Sequence, residues 1–453
     1  MSTDPNVIAR PPRRLVRRAA MAGFLGTAIE SYDFFLYAYL VVYTAPLFFP
    51  SEDPLLGILS ALLALGSGFL SRPLGGLFFG RLGDRRGRRL ALMTTIIGMG
   101  VVTTAMGSLP TYATIGAAAP VLLVLLRLLQ GFSAGGELAG STTFVSEHAH
   151  RGNHGLLSTV TPLGTSFGAV LAPGAVALTT LLLSEEVMRT WGWRVPLLLS
   201  LPLTLVCLVM RMRLEDSPEF ERLVRNDRIP PAPVRELLTR HPGALAKVVV
   251  LSATVLMIGY LMATYVPLFL QEQVGFSAGA AAGLASFYAL AAIGLTIGAG
   301  LVIDRVGRRN TMVIVMGSLA VLFVPVLMLA KATGGHLLVT GVGFAVLSGL
   351  GGAVGAPMYA TLTAVFPARV RYTGAAFGFG LGSALGGGVG PWLAAQLSAS
   401  TDNPYAGGLL ASGAAVVAVV VVFTLPARGV TTDAVTGPRA AADRPASASS
   451  ASS

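Results

Sequence analysis

The chain has 453 residues, of which 53% are hydrophobic and only 12% are charged, against about 25% charged residues in an ordinary soluble domain. This deficit of charge and the repeated long apolar runs exclude most soluble folds and predict an integral membrane protein. The single cysteine, Cys207, permits no internal disulfide. The net charge of +11 would suit a nucleic-acid partner, unless the basic residues follow a membrane topology.

Twelve runs are long and apolar enough to cross a bilayer as helices, which requires about 20 residues. We therefore expect an all-α membrane protein with 12 transmembrane helices. The predicted spans are 20–46, 55–80, 90–109, 118–144, 155–183, 195–211, 246–270, 278–302, 311–330, 335–365, 373–397 and 406–426.

Arginine and lysine indicate which helix ends face the cytoplasm. All but five of the 32 basic residues lie in the N-terminal arm, in every second loop or in the tail. This bias predicts cytoplasmic termini for a multi-pass protein of the cell membrane. It also accounts for the positive charge, so we expect contact with lipid and no nucleic-acid partner.

Composition divides the chain into five parts. They are a basic cytoplasmic arm at 1–19, a six-helix bundle at 20–211, a charged linker at 212–245, a second six-helix bundle at 246–427 and a disordered cytoplasmic tail at 428–453. The loop 80–89 recurs as 300–309, because Gly, Asp, Gly and three arginines fall at matching positions after the second span of each bundle. Such parallel repeats, with a substrate site near the midplane, are typical of major facilitator transporters.

These repeat loops predict a gate. Asp84 can pair with nearby arginines or cap a following helix, and so hold helix ends together until the transporter changes state. The alternative is a basic loop that only fixes topology. The candidate gating residues are Arg72, Asp84, Arg85, Arg88, Asp304 and Arg308.

Five charged residues lie deep inside predicted spans: Glu30, Asp33, Arg72, Arg127 and Glu137. A charge inside the bilayer costs several kcal/mol, so each is by default a candidate functional residue. Their depths predict an inner layer of Glu30, Arg72 and Glu137 and an upper layer of Asp33 and Arg127. We expect Glu30, Asp33 and Glu137 to couple transport to protons; the alternative is a set of fixed ion pairs that specifies helix packing.

The expected substrate-binding residues are Arg127, Gln130, Tyr37, Tyr260 and Tyr359. Arg127 favours a substrate with a carboxylate, whereas the tyrosines are equally consistent with packing or interfacial anchoring. A glycine at every fourth residue from Gly374 to Gly390 predicts close approach of a neighbouring helix, either sliding or static.

Other chemistry is not indicated. The sequence has no Gly-x4-Gly-Lys-Ser/Thr phosphate loop and no Gly-x-Ser-x-Gly elbow, and we expect neither a cofactor, a metal nor enzyme activity. His148, His150 and His154 are not at a metalloprotease spacing and are predicted to be a solvated loop cluster.

Several motifs resemble the metabolite:H+ symporter family of the major facilitator superfamily, and in particular its shikimate-transporter branch. They lie at 26–37, 72–76, 127–137, 147–148 and 191–196, and the resemblance extends over residues 18–427. It implies uptake of a small organic acid or zwitterion with protons by alternating access, with coupling roles for Glu30, Asp33, Arg127 and Glu137.

Two alternatives stay open. A proton-coupled exporter of a metabolite or drug would have the same fold, although 162–164 and 173–174 do not match the Gly-Pro motif of drug exporters well. A membrane receptor for a solute would normally add a signalling domain. We expect a transporter of a small molecule and protons that functions as a monomer.

Overall fold

The structure is a computed structural model that describes residues 13–51, 54–148 and 154–425. Within these ranges the chain forms helices and no strand. The predictions for residues 1–12, His150, Arg151 and the tail at 428–453 fall outside the described residues. The twelve long helices, numbered α1 to α12, are Arg13–Phe48, Pro54–Arg86, Arg88–Ser108, Ala118–His148, Gly155–Leu182, Arg194–Met212, Pro242–Val274, Ala278–Val306, Arg308–Ala332, Leu337–Ala364, 371–401 and Ala406–Phe423.

Each predicted span coincides with one long helix, so the count of twelve is confirmed. Among the described residues, nine helices are long and apolar enough to cross a membrane by length and composition, namely α3 to α10 and α12. Helices α1 and α2 contain buried charges. Helix α11 is broken by a π-helical turn at Ala384–Val389, where three consecutive glycines precede Pro391.

The two halves, α1–α6 and α7–α12, repeat the same packing. In the first half α1 packs on α5, and α2 and α3 pack on α4. In the second half α7 packs on α11, and α8 and α9 pack on α10. The halves meet through α2 against α11 and through α8 against α5, which are equivalent contacts under the repeat. The fold is therefore two pseudo-symmetric six-helix bundles.

Glycine allows α2 to touch the other half closely. A Cβ atom on Gly76 or Gly80 would overlap the α11 backbone at Ala376 or Thr373. The predicted ridge on α11 serves a different contact, since a Cβ on Gly382 would meet Ser252 of α7 within the same half. Small residues thus bring backbones together both between and within the halves.

The repeat loops share one end of the bundle, here called the arginine-rich end and defined by residues 81–89 and 305–309. Gly87 and Gly307 have φ of 109° and 84°, a conformation that favours glycine, and each separates two helices. The linker between the halves forms two short helices, Pro218–Arg225 and Pro233–Arg240. The second of these packs on α2, α7 and α11.

Candidate functional site

Asp84 joins the two halves at the arginine-rich end. Its fully buried carboxylate accepts hydrogen bonds from the backbone amides of Tyr372 (3.2 Å) and Thr373 (2.9 Å) and from the Thr373 hydroxyl (2.7 Å). Asp84 also lies 3.3 Å from Arg88. It therefore pairs with an arginine and caps the first turn of α11 in the other half, where amides lack helical acceptors and the helix dipole favours an anion.

Arg88 extends this contact into a buried network. It donates to the backbone carbonyl of Ala368 (2.8 Å) and lies 3.3 Å from Glu147 of α4. Glu147 also pairs with Arg371 (2.9 Å) and accepts a hydrogen bond from Ser217 of the linker (2.5 Å). Ion pairs thus connect the two halves, and a hydrogen bond from Ser217 connects the linker to them. The sequence analysis did not predict the roles of Glu147 and Arg371. The available signals were an acidic residue, Glu147, just after the fourth predicted span and a basic residue, Arg371, in the loop before the eleventh.

The second repeat loop makes the equivalent contact. Asp304 accepts hydrogen bonds from the amides of Gly155 (2.8 Å) and Leu156 (3.2 Å), at the start of α5. Each repeat aspartate thus caps a helix of the opposite half. Unlike Asp84, Asp304 is exposed. Of the other predicted gating residues, Arg308 is half-buried and Arg85 is exposed.

An ion pair lies inside the membrane region at the contact between the halves. Arg72 of α2 is 3.9 Å from Glu30 of α1 and donates to the hydroxyl of Ser383 in α11 (3.2 Å). Its guanidinium lies over the rings of Phe34 and Phe69, at 4.5 and 5.2 Å from their centroids. The second carboxylate oxygen of Glu30 is buried without a hydrogen-bond partner among the described residues. We call Glu30, Arg72, Phe34 and Phe69 the central cluster.

Arg127, Gln130 and Asp33 form a second buried group. Arg127 donates to the side-chain oxygen of Gln130 (2.5 Å), whose amide donates to the backbone carbonyl of Asp33 (3.2 Å) and to Thr103 (2.9 Å). The Asp33 carboxylate accepts a hydrogen bond from Ser200 (2.9 Å), and its other oxygen has no hydrogen-bond partner within the described residues. Gln130 therefore connects the two members of the predicted upper layer.

The three candidate tyrosines surround these two groups. Arg127 lies over the ring of Tyr37 at 4.7 Å, and Tyr260 of the second half meets Phe69 edge-on at 5.4 Å. Tyr359 of α10 is 6% exposed and lies near Glu30 and Arg72 of the central cluster. The structure thus brings together the predicted binding residues from both halves.

Glu137 has a different partner from the one predicted. Its two oxygens form an ion pair with both terminal nitrogens of Arg211 and accept hydrogen bonds from Ser141 (2.9 Å) and Thr95 (2.6 Å). The side chain of Arg211, the last residue of the sixth predicted span, is buried at the end of α6. A Cβ atom on Gly26 would overlap both charged groups. Glu137 is therefore enclosed in the first half, with Arg211 rather than Arg72 as its ion-pair partner.

The prediction of a solvated histidine cluster is wrong for His148. This side chain is 1% exposed, and its Nδ1 lies 2.8 Å from the carbonyl of Phe144. Within the described part of the chain, His, Cys, Asp and Glu form no group of three or more that could hold a metal ion.

Two repeated helical bundles with a charged and aromatic cluster at their contact define a membrane transporter. The chain belongs to the major facilitator superfamily, whose family model matches residues 23–380. Members of this family are transporters and not enzymes.

Comparison with known proteins supports the resemblance to the metabolite:H+ symporter family. The chain is 35% identical to the glycine betaine/proline/ectoine/pipecolic acid transporter OusA of Dickeya dadantii, over 86% of this chain and 79% of that protein. It is 39% identical to the shikimate transporter of Escherichia coli, over 57% and 60% of the two chains. Among solved structures, the proton:xylose symporter XylE has the same fold, with a TM-score of 0.77, 15% identity and coverage of 91% of this chain and 96% of that chain.

Proposed function

We propose that this protein takes up a small zwitterionic metabolite, with a carboxylate and an ammonium group, together with protons. The observation that supports this most directly is the central cluster. An acid, an arginine and aromatic rings are buried together where the halves meet, and Arg72 bonds to both halves. Such a group can bind both ends of a zwitterion and respond to movement of the halves.

The substrate carboxylate is assigned to the guanidinium groups of Arg72 and Arg127, since arginine binds carboxylates with paired, charge-assisted hydrogen bonds. The ammonium group is assigned to the faces of Phe69 and Tyr260, because aromatic rings attract cations. Relatives named as proline and betaine transporters match most of the chain. We therefore favour a proline- or betaine-like substrate over shikimate, which lacks an ammonium group.

Proton coupling is assigned to Glu30 and Asp33. Each carboxylate has one buried oxygen without a hydrogen-bond partner among the described residues, so a proton can be added without breaking a hydrogen bond there. Protonation of Glu30 weakens its attraction for Arg72, which then becomes available to the substrate carboxylate. Substrate and proton therefore favour each other's binding. Glu137 is a weaker candidate than Glu30 and Asp33, because four hydrogen bonds hold it as an anion.

Alternating access follows from the contacts between the halves. We propose that 20–211 and 246–427 rock against each other around the central cluster, and that the Asp84 and Asp304 contacts break when the arginine-rich end opens. The distribution of basic residues favours a cytoplasmic position for the arginine-rich end and for both termini. We propose that the protein functions as a monomer in the cell membrane, or the inner membrane where there are two.

Uptake into proteoliposomes tests this function. We would measure labelled glycine betaine, proline and shikimate with an imposed inward proton gradient, and repeat each assay after the gradient is dissipated. We expect gradient-dependent accumulation of betaine or proline. Folded protein that accumulates neither, or accumulates them equally without a gradient, would contradict the proposal. Glu185→Gln is a suitable control, because this exposed acid pairs only with the exposed Arg189 among the described residues.

A further inference from the structure

A groove of about 440 Å3 lies at the arginine-rich end between α2 and the second linker helix, Pro233–Arg240. Its lining includes Arg81 of α2 and the linker residues Pro233, Val234, Arg235, Leu238 and Thr239. Both arginines are exposed, and neither has a role in the transport mechanism proposed above.

The position of Arg81 places this groove at the depth of lipid headgroups. Leu70, Leu74 and Phe78 are 71%, 62% and 54% exposed, and they follow one face of α2 at helical spacing. An exposed apolar face on a membrane helix faces the acyl chains. Arg81 and Arg85 continue the same face, so the apolar stripe ends and a basic one begins at Arg81.

The lining matches the chemistry of a phospholipid. Two guanidinium groups can bind a phosphate, whereas Pro233, Val234 and Leu238 form an apolar wall suited to the start of an acyl chain. The lining contains no acidic residue. The nearby Glu236 pairs with Arg369 at 3.5 Å, which leaves the guanidinium groups of the groove to an external anion.

The linker helix on one side of the groove touches both halves. Leu237 is fully buried in the core that the second half dominates, and the Glu236–Arg369 pair fixes the helix to the segment before α11. The other side of the groove is α2 of the first half. A ligand bound to both Arg81 and Arg235 therefore connects the first half to a helix anchored on the second.

We propose that the phosphate of an anionic phospholipid binds between Arg81 and Arg235 and stabilises the closed arrangement of the arginine-rich end. The lipid supplies negative charge to both arginines and apolar surface to the groove. Anionic lipid in the surrounding leaflet thus acts on the equilibrium between the closed and open states, without contacting the central cluster.

Lipid retention is the first test. The full chain, in nanodiscs of phosphatidylcholine with phosphatidylglycerol, is transferred to detergent, and bound phosphatidylglycerol is counted by native mass spectrometry. We expect about a fivefold loss of affinity for each arginine removed, in Arg81→Gln and Arg235→Gln. Arg225→Gln, an exposed linker arginine outside the groove, is the matched control and should retain lipid. Equal retention by all three variants would overturn the site.

Two further measurements test whether the bound phosphate belongs to a lipid and whether its binding stabilises the closed state. Glycerophosphoglycerol or inorganic phosphate that displaced the lipid at equal concentration would show a free-phosphate site and overturn the lipid assignment. Hydrogen exchange of residues 371–374 tests the effect on the closed state. Phosphatidylglycerol should slow exchange in the wild type and not in the Arg81→Gln, Arg235→Gln double variant; an equal slowing in both would overturn the stabilising role.

Discussion

Asp84 in the first half is bonded to Thr373 in the second half through both the backbone amide, at 2.9 Å, and the hydroxyl, at 2.7 Å. Asp304 in the second half accepts hydrogen bonds from the first two backbone amides of α5 in the first half. One chemical device, an aspartate that caps a helix of the other bundle, therefore occurs twice under the repeat. In the proposed transport cycle, both contacts break when the arginine-rich end opens.

Asp84→Asn tests how much this helix cap stabilises the closed state. The amide keeps the side-chain size but removes the charge that faces the α11 N-terminus and Arg88, so the closed state should lose about 1–3 kcal/mol. Hydrogen exchange at residues 371–374 should accelerate by about fivefold or more. Asp227→Asn, in the linker beyond the gate contacts, is the control. Unchanged exchange in Asp84→Asn would show that the cap does not hold the closed state.

Glu30→Gln should separate substrate exchange from proton coupling. The neutral side chain imitates protonated Glu30, so Arg72 stays available for the substrate but no proton binds at this position. We expect exchange of labelled for unlabelled substrate to persist, whereas accumulation driven by a proton gradient falls at least tenfold. Parallel loss of both activities in folded protein would assign Glu30 to substrate binding instead.

Glu137→Gln should act on stability more than on coupling. Removal of this charge leaves Arg211 buried without its anion, and breaking one side of such a pair costs about 3–5 kcal/mol. We expect a clear fall in the melting temperature in detergent, and a similar fall for Arg211→Gln. A variant with wild-type stability and selective loss of proton-driven accumulation would instead restore Glu137 as a proton carrier.

Local sequence patterns predicted the helices but only part of the site. The twelve spans follow from apolar length, and Asp84 and Asp304 follow from a repeated motif. Arg211 ends an apolar run, and only its contact with Glu137, 74 residues away, explains its burial. The bond from Arg72 to Ser383 joins residues 311 positions apart. Such pairings depend on how the two bundles dock, which no local spacing encodes.

The close contact of α2 with α11 yields the last prediction. A methyl group on Gly80 would lie 2.5 Å from the Cα atom of Thr373, so Gly80→Ala should push the helices apart and favour an open arginine-rich end. Spin labels at Arg86→Cys and Arg305→Cys, on the first and second halves, should report a longer distance. Gly259→Ala is the matched control, because its added methyl meets nothing within 4 Å and alanine favours helix. If Gly80→Ala and Gly259→Ala gave the same distance distribution, close approach at Gly80 would have no part in closing the transporter.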